Sequence, residues 1–351
     1  MHHAPLPTPG TPAENLSVPA PHRPCAQVVP GERAQFASGF GRRMLLTIDT
    51  EEEFDWSAPF SRQATGTSHA RSFAAFQALC EEIGAHPVWL VDWPIAHDPV
   101  AVDVLGAAAR DGRADIGIHL HPWVNPPFAE AVNARNSYAG NLPPALEAEK
   151  FARLKLRIED AFGVAPAIYR AGRYGFGPHT AQLLKTHGIA LDSSMRPLFD
   201  YRTDGGPDYR NHPAHPWWLD AERGLLELPV TSVHAGALAR FGPRLQRLAA
   251  HIPRAAGLLA RTRLTERIPL TPEGVGVAEA LRGIDAALEA DLPLLVLSFH
   301  SPSLVPGHTP YVQSEAEVAA IHDWLRAVYA HCHAAGVRSA SVADVIAAAR
   351  G

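Results

Sequence analysis

From Arg43 onward, short apolar runs alternate with stretches whose apolar residues recur every three or four positions. The runs are Met44–Ile48, Pro87–Val91, Asp115–Ile118, Ala167–Tyr169, Ile189–Leu191, Leu225–Val230, Leu294–Phe299 and Arg338–Val342. They read as buried strands. Between them, Phe73, Phe76, Cys80 and Ile83 step by three, four and three. Phe151, Leu154, Ile158 and Phe162 keep the same period, as do Val318, Ile321, Leu325, Val328 and Cys332, and each set predicts an amphipathic helix. Ser314 with Glu317 predicts a capping box opening a helix over about 315–335. Thr271 followed by Pro272 predicts another helix start, and Gly84, Gly163, Gly188 and Gly336 sit where helices should end. Strands alternating with helices in about eight units predict an α/β fold, a distorted parallel (β/α) barrel of seven to eight strands.

The connections are asymmetric. Those from helix to strand are short, whereas those from strand to helix at about 50–68, 122–143, 192–223 and 301–313 are long. In a parallel barrel these long loops share the face that carries the active site. Residues 1–40 lack any apolar period, and eight of the first thirty are proline, so a disordered tail is expected ahead of a catalytic barrel over 41–351.

Composition narrows the function classes. The chain has 351 residues, 46% hydrophobic and 19% charged, with net charge -5. It reads as a globular protein with a sizeable core and no basic block, which argues against nucleic acid or an anionic membrane as partner. A local arginine cluster would still suit an anionic substrate. No apolar run is long enough for a membrane span and no signal-peptide core is visible, so a cytoplasmic location is expected. Cys25, Cys80 and Cys332 are too few and scattered for a disulfide framework or a cysteine zinc site, and the latter two read as small buried hydrophobes. The oligomeric state stays open.

The strand ends carry the chemistry. Asp49, Asp92, His119, Arg170, Asp192 and His300 each close an apolar run, and a barrel gathers all six at one mouth. In extended chain, residues two apart face the same side, so Asp49 pairs with Glu51 and His119 with His121. Two imidazoles and a carboxylate are a common set for catalytic Zn²⁺, and Co²⁺ or Ni²⁺ accept the same donors. Amide hydrolysis needs a polarised carbonyl, a nucleophile at neutral pH and a proton for the leaving amine; a cation, a carboxylate base and an imidazole acid supply these.

At these positions the sequence resembles the polysaccharide deacetylase family, the NodB-homology domain or carbohydrate esterase family 4, over roughly residues 43–348. Leu-Thr-Ile-Asp49-Thr-Glu51 resembles the first motif, usually Thr-Phe-Asp-Asp. Ile-Gly-Ile-His119-Leu-His121-Pro resembles the second, usually two histidines with three residues between them before a proline. Tyr-Arg170-Ala-Gly-Arg173-Tyr174-Gly, Leu-Asp192-Ser-Ser and Leu-Ser-Phe-His300-Ser resemble the third, fourth and fifth. The resemblance implies a distorted barrel and metal-dependent deacetylation, with Asp49 as general base, Arg170 orienting it and His300 as general acid. It implies that Glu51, His119 and His121 hold the metal. Asp92, Asp192, Arg173, Tyr174 and Trp123 are candidates for substrate contact, although the two aspartates equally suit helping a histidine ligand or capping the next segment. Arg173 equally suits a structural ion pair. Trp56, Trp93, Trp123, Trp217 and Trp218 suit either sugar stacking or loop packing. The expected activity is removal of an N-acetyl group from an amino sugar or glycan precursor. The alternatives are hydrolysis of a small ureide or formamide on the same fold, and a binding module that has lost activity.

Overall fold

A computed structural model describes residues 28–242 and 264–350. Its strands are β1 (Arg43–Thr50), β2 (Pro87–Val91), β3 (Asp115–Leu120), β4 (Ile168–Ala171), β5 (Leu191–Asp192), β6 (Trp217–Trp218), β7 (Leu226–Glu227), β8 (Ser232–Ala235), β9 (Glu266–Pro269), β10 (Leu294–His300) and β11 (Arg338–Ser339). Its helices are α1 (Phe73–Glu82), α2 (Pro99–Arg110), α3 (Pro144–Phe162), α4 (Thr180–Thr186), α5 (Val277–Glu289), α6 (Glu315–Ala334) and α7 (Val342–Arg350). All eight apolar runs contain a strand, and the three helical periods fall in α1, α3 and α6.

One curled sheet runs in the order β10-β1-β2-β3-β4-β5-β7-β6, parallel except for the β6–β7 pair, with β11 also beside β1. The gap between β7 and β10 is bridged by single residues. Thr231 N donates to Val296 O, Leu270 N donates to Thr231 O, and Ser298 N donates to Leu270 O. The result is the distorted barrel expected. The antiparallel pair β8–β9 and the edge strand β6 were not foreseen, because polar residues interrupt Ser232–Ala235 and Glu266–Pro269 and Trp217–Trp218 follows a His- and Pro-rich loop, so none forms an apolar run.

Strand alternation divides the core in two. Met44, Leu46 and Ile48 face outward and pack with Phe73, Phe76 and Cys80 of α1 and Leu325 and Val328 of α6. Leu45 faces inward with Val88, Leu90, Ile168, Leu191, Leu226 and Val296. Above this apolar layer the inward residues turn polar, namely Thr47, Asp49, Arg170 and Ser298, and all are buried. The apolar floor thus supports a polar layer at the strands' C-terminal ends.

Ser314 caps α6 as expected, accepting from Glu317 N, and the four end-capping glycines all have positive φ. Thr271 does not open a helix. Its Oγ1 accepts from Glu273 N in a turn, and α5 begins at Val277. Within the expected tail, residues 1–27, with Cys25, lie outside the described residues, but residues 28–40 pack on the barrel. Trp218 N donates to Glu32 O, Ala34 N to Pro216 O, and Ala34 and Phe40 are buried. Residues 28–40 are therefore part of the folded unit, held through Trp217–Trp218 of β6. Cys80 and Cys332 are buried and unpaired. Among the described residues no helix is long and apolar enough to cross a membrane.

Candidate active site

The polar layer is seated on Arg170. β4 places it fully inside the barrel, where every guanidinium N–H has a partner. Nε donates to Ser193 O, Nη1 to Asp49 Oδ1 at 2.5 Å and Ser298 Oγ at 2.8 Å, and Nη2 to Thr47 Oγ1 and Ser193 Oγ. A buried charge is tolerated only when paired and hydrogen-bonded throughout, and this one is. Burial would raise the pKa of Asp49. Arg170, His119 and His300 outweigh it and hold the carboxyl below its ordinary range, so Asp49 is ionised.

Asp49 and His300 are direct neighbours in the register of β1 and β10. Asp49 Oδ2 lies 3.9 Å from His300 Nε2, and the other ring nitrogen meets Glu273 Oε2 at 2.7 Å. Burial disfavours the imidazolium, yet Glu273 and then Asp49 override it and raise the His300 pKa above 6.5. Both shifts favour the charged forms, a carboxylate on Asp49 and an imidazolium on His300.

Beside Asp49, three donors converge. Glu51 Oε2 lies 3.2 Å from His119 Nε2 and 3.3 Å from His121 Nε2. His119 Nδ1 meets the Arg170 carbonyl at 3.1 Å. A carbonyl only accepts, so Nδ1 carries the proton and Nε2 presents a lone pair. His121 Nδ1 meets Glu52 Oε2 at 2.8 Å, which sets the same tautomer when Glu52, whose pKa burial raises to about 7, is ionised. Two bare imidazole nitrogens therefore face a carboxylate oxygen, an arrangement that repels unless a cation or proton sits among them. Burial lowers the pKa of His119 to about 3 and of His121 to about 4, so a proton on imidazole does not fill the role. Burial, then Glu52 and Asp49, pushes Glu51 well up, so without a cation a proton on Glu51 relieves the repulsion, and its Oε1 has no hydrogen-bond partner. Donor separations of 3.2–3.3 Å match the roughly 3.3 Å edge of a tetrahedron with bonds near 2.0–2.1 Å. The residues fit a divalent cation, with Zn²⁺, Co²⁺ and Ni²⁺ compatible with two nitrogens and one oxygen.

Several functional residues escaped the sequence reading. Glu52 holds His121 with Oε2 and accepts from Trp123 Nε1 with Oε1 at 2.7 Å. Glu273 holds His300. Behind Glu51, Glu53 Oε1 meets His69 Nδ1 and His69 Nε2 meets Ser301 Oγ, each at 2.9 Å, and that Oγ accepts from Glu51 N. This last chain has the connectivity of a serine triad. However, Ser301 and His69 are wholly buried, so it braces the Glu51 backbone. The acidic run Glu51-Glu52-Glu53 was the available signal, but which glutamate faces which histidine depends on the fold.

A cavity of about 320 Å³ opens over the site, lined by Asp49, Glu51, His119, His121, Glu273 and His300 below and by Phe54, Trp56, Phe60, Tyr174, Tyr201 and Tyr311 around the walls. Arg173 and Tyr174 both reach it. Arg173 is also tied to Ser137 Oγ at 2.6 Å and Asp204 at 3.2 Å. Three expected substrate contacts lie behind the wall. Asp92 is fully buried, accepting from Glu52 N and Ile95 N, so it fastens the next segment. Asp192 is buried against Ser194 and the neighbouring Glu227, and burial raises the pKa of both carboxyls. Trp123 stacks on His121 with ring centres 4.2 Å apart. Of the five tryptophans expected at the loop face, Trp56 lines the cavity, while Trp217 and Trp218 are buried in β6.

No family model and no curated protein matches the sequence. In structure the chain is similar to a protein described as a polysaccharide deacetylase from Mycobacterium smegmatis, with TM-score 0.51 and 18% identity over 92% of this chain and 95% of that one. It also shows similarity to a Pseudomonas aeruginosa PAO1 protein described as a polysaccharide deacetylase (TM-score 0.49, 13% identity, 89% and 92% covered) and to PuuE allantoinase (TM-score 0.46, 13% identity, 89% and 91% covered). At such identity the first likeness establishes architecture, and the fold is the NodB-like fold of polysaccharide deacetylases.

Proposed function

We propose that this chain is a metal-dependent hydrolase that removes an N-acetyl group from an amino sugar or small glycan precursor. The observation that carries the reading is the convergence of Glu51, His119 and His121 donors within 4.8 Å of one another, beside Asp49 and His300, whose side chains approach to 3.9 Å. A divalent cation held by those three residues would polarise the amide carbonyl and lower the pKa of water towards about 7. Asp49, kept ionised and aimed by Arg170, takes the proton of the attacking water. His300, kept protonated by Glu273, delivers a proton to the amide nitrogen as the C–N bond breaks. Phe54, Trp56 and Tyr311 wall off the cavity above them.

The cavity volume of about 320 Å³ sits at the small end of ligand sites, which run from about 300 to 1,000 Å³. That size supports a single sugar unit. The same observation favours a second reading, hydrolysis of a small ureide or formamide, because Arg196, Tyr201 and Asp204 of the 192–223 segment close in over the site.

Purified protein loaded with Zn²⁺ is expected to bind one equivalent and to release acetate from small N-acetylated amino sugars. Asp49→Asn is expected to cut kcat by about 10²–10⁴-fold with metal content unchanged, and His121→Ala to lose the metal. Acetate assays alongside metal analysis decide it. Absence of stoichiometric metal, or full activity in Asp49→Asn, overturns the reading. Ammonia or formate release without acetate selects the second one.

A further inference from the structure

The charges of the cavity pair off with one remainder. Among the described residues, Asp49 is bonded to Arg170, Glu273 to His300 and Asp204 to Arg173, while Glu51 faces the two histidines. Arg196, in the loop after β5, lines the same cavity and makes no ion pair with any described carboxylate. Its Nε is buried without a hydrogen-bond partner. Its surroundings are aromatic, with Cζ 5.4 Å from the Tyr174 ring centre and 4.0 Å from that of Phe199. The nearby phenols of Tyr201 and Tyr311 stay neutral, since burial raises both pKa values.

A second guanidinium, exposed to solvent and outside the cavity lining, packs on the same ring. Arg267 of β9 lies 4.0 Å over the same Phe199 ring, donates to Leu198 O and likewise has no ion pair among the described residues. Glu14 is the single acidic side chain outside the described residues. The run from Leu228 to Thr265 holds six arginines and no Asp or Glu, a basic block that the sequence reading missed. The chain segment between β8 and β9 therefore offers no carboxylate to either arginine. Cation–π contacts offset part of the lost hydration of a guanidinium but do not replace an anionic partner.

We propose that the substrate carries an oxyanion, a phosphate or a carboxylate, which the Arg196 guanidinium binds while the scissile amide lies between Asp49 and His300. The placement of the amide rests on the hydrolase reading; the oxyanion contact does not. A guanidinium presents parallel N–H donors that match two oxygens of either group, and a site already desolvated by aromatic rings makes such bonds strong.

The test has a binding arm and a turnover arm, both on zinc-loaded protein. Inorganic phosphate is titrated calorimetrically into wild type, Arg196→Gln and Arg196→Lys. Because phosphate also reaches the metal, the variants are compared at equal metal content. Affinity is expected to fall at least tenfold in Arg196→Gln and less in Arg196→Lys. Acetate release is then compared for N-acetylglucosamine, its 6-phosphate and its 6-carboxylate. Wild type is expected to show a KM at least tenfold lower for one charged sugar than for the neutral one, and that sugar identifies the anion. The preference is expected to shrink in Arg196→Gln. Equal phosphate affinity in wild type and Arg196→Gln, or equal KM for all three sugars in wild type, overturns the proposal. Should no sugar release acetate while phosphate binding still depends on Arg196, the oxyanion site stands and the hydrolase reading fails. If Arg196→Gln does not fold, wild-type discrimination and the Lys variant decide.

Discussion

At the scale of single residues, the site depends on opposite treatment of two ionisable groups 3.9 Å apart. Both are desolvated, and each is returned to its charged form by one dominant partner, Arg170 for Asp49 and Glu273 for His300. The sign of the pH dependence follows. A base whose pKa is lowered stays competent to more acidic pH, and an acid whose pKa is raised stays competent to more alkaline pH. A kcat/KM profile is expected to rise below the usual carboxylate range and to fall only above 6.5. Removing the Glu273 charge takes away the largest influence that raises His300. Glu273→Gln is expected to move the alkaline limb to lower pH and leave the acid limb in place, as pH–rate profiles of the two proteins would show. A limb that does not move would mean that His300 is not the group titrating there.

At the scale of elements, the turn after β4 shows how backbone geometry sets the proposed metal site. Arg173 and Tyr174 both have positive φ, 55° and 61°, a conformation that costs side-chain-bearing residues free energy. The two together swing their side chains into the cavity. The residue before them is Gly172, where a Cβ would lie 2.3 Å from His121 Cδ2 and 2.6 Å from Leu120 O. No methyl fits there unless both the His121 ring and the Leu120 carbonyl move. Gly172→Ala is therefore expected to weaken metal binding by about 10–100-fold, the range seen when a ligand loses its orientation, with a smaller effect on the melting temperature. Competition with a chelator measures it. The third motif was legible in sequence as far as Arg170, because a charged residue ending an apolar strand stands out. The role of Gly172 was not, since it is defined by an imidazole arriving from β3. The same limit explains Asp92 and Asp192. Their place at strand ends was readable, but it does not reveal that one turns to the backbone of Glu52 and Ile95 and the other to Ser194.

At the scale of the whole molecule, the barrel is a stack with an apolar floor, an arginine-centred polar layer and a walled cavity above. The main strands and their parallel arrangement were legible because parallel strands buried on both faces leave unbroken apolar runs. The closure through Thr231 and Leu270 was not, since isolated bridging residues carry no pattern. Nor was the contribution of residues 28–40, whose proline-rich approach hides a segment that seats Ala34 and Phe40 against the floor. Phe40 is only 7% exposed and stacks on Phe36 with ring centres 4.8 Å apart. A chain beginning at residue 41 is expected to lose at least the ~3–5 kcal/mol typical of deleting a buried phenylalanine. Urea unfolding of the shortened and full chains checks this, and an unchanged midpoint would show that the segment is dispensable.

Asp49 and His300 sit side by side because the first and the tenth strands are neighbours, so the proposed proton acceptor and donor are brought together by nearly the longest-range pairing in the chain. During synthesis a ribosome must release β10 before the two can meet, and a nascent chain that has built everything through β9 still lacks its acid. Recovered catalysis is therefore expected to trail recovered helix content when the unfolded protein is returned to native conditions.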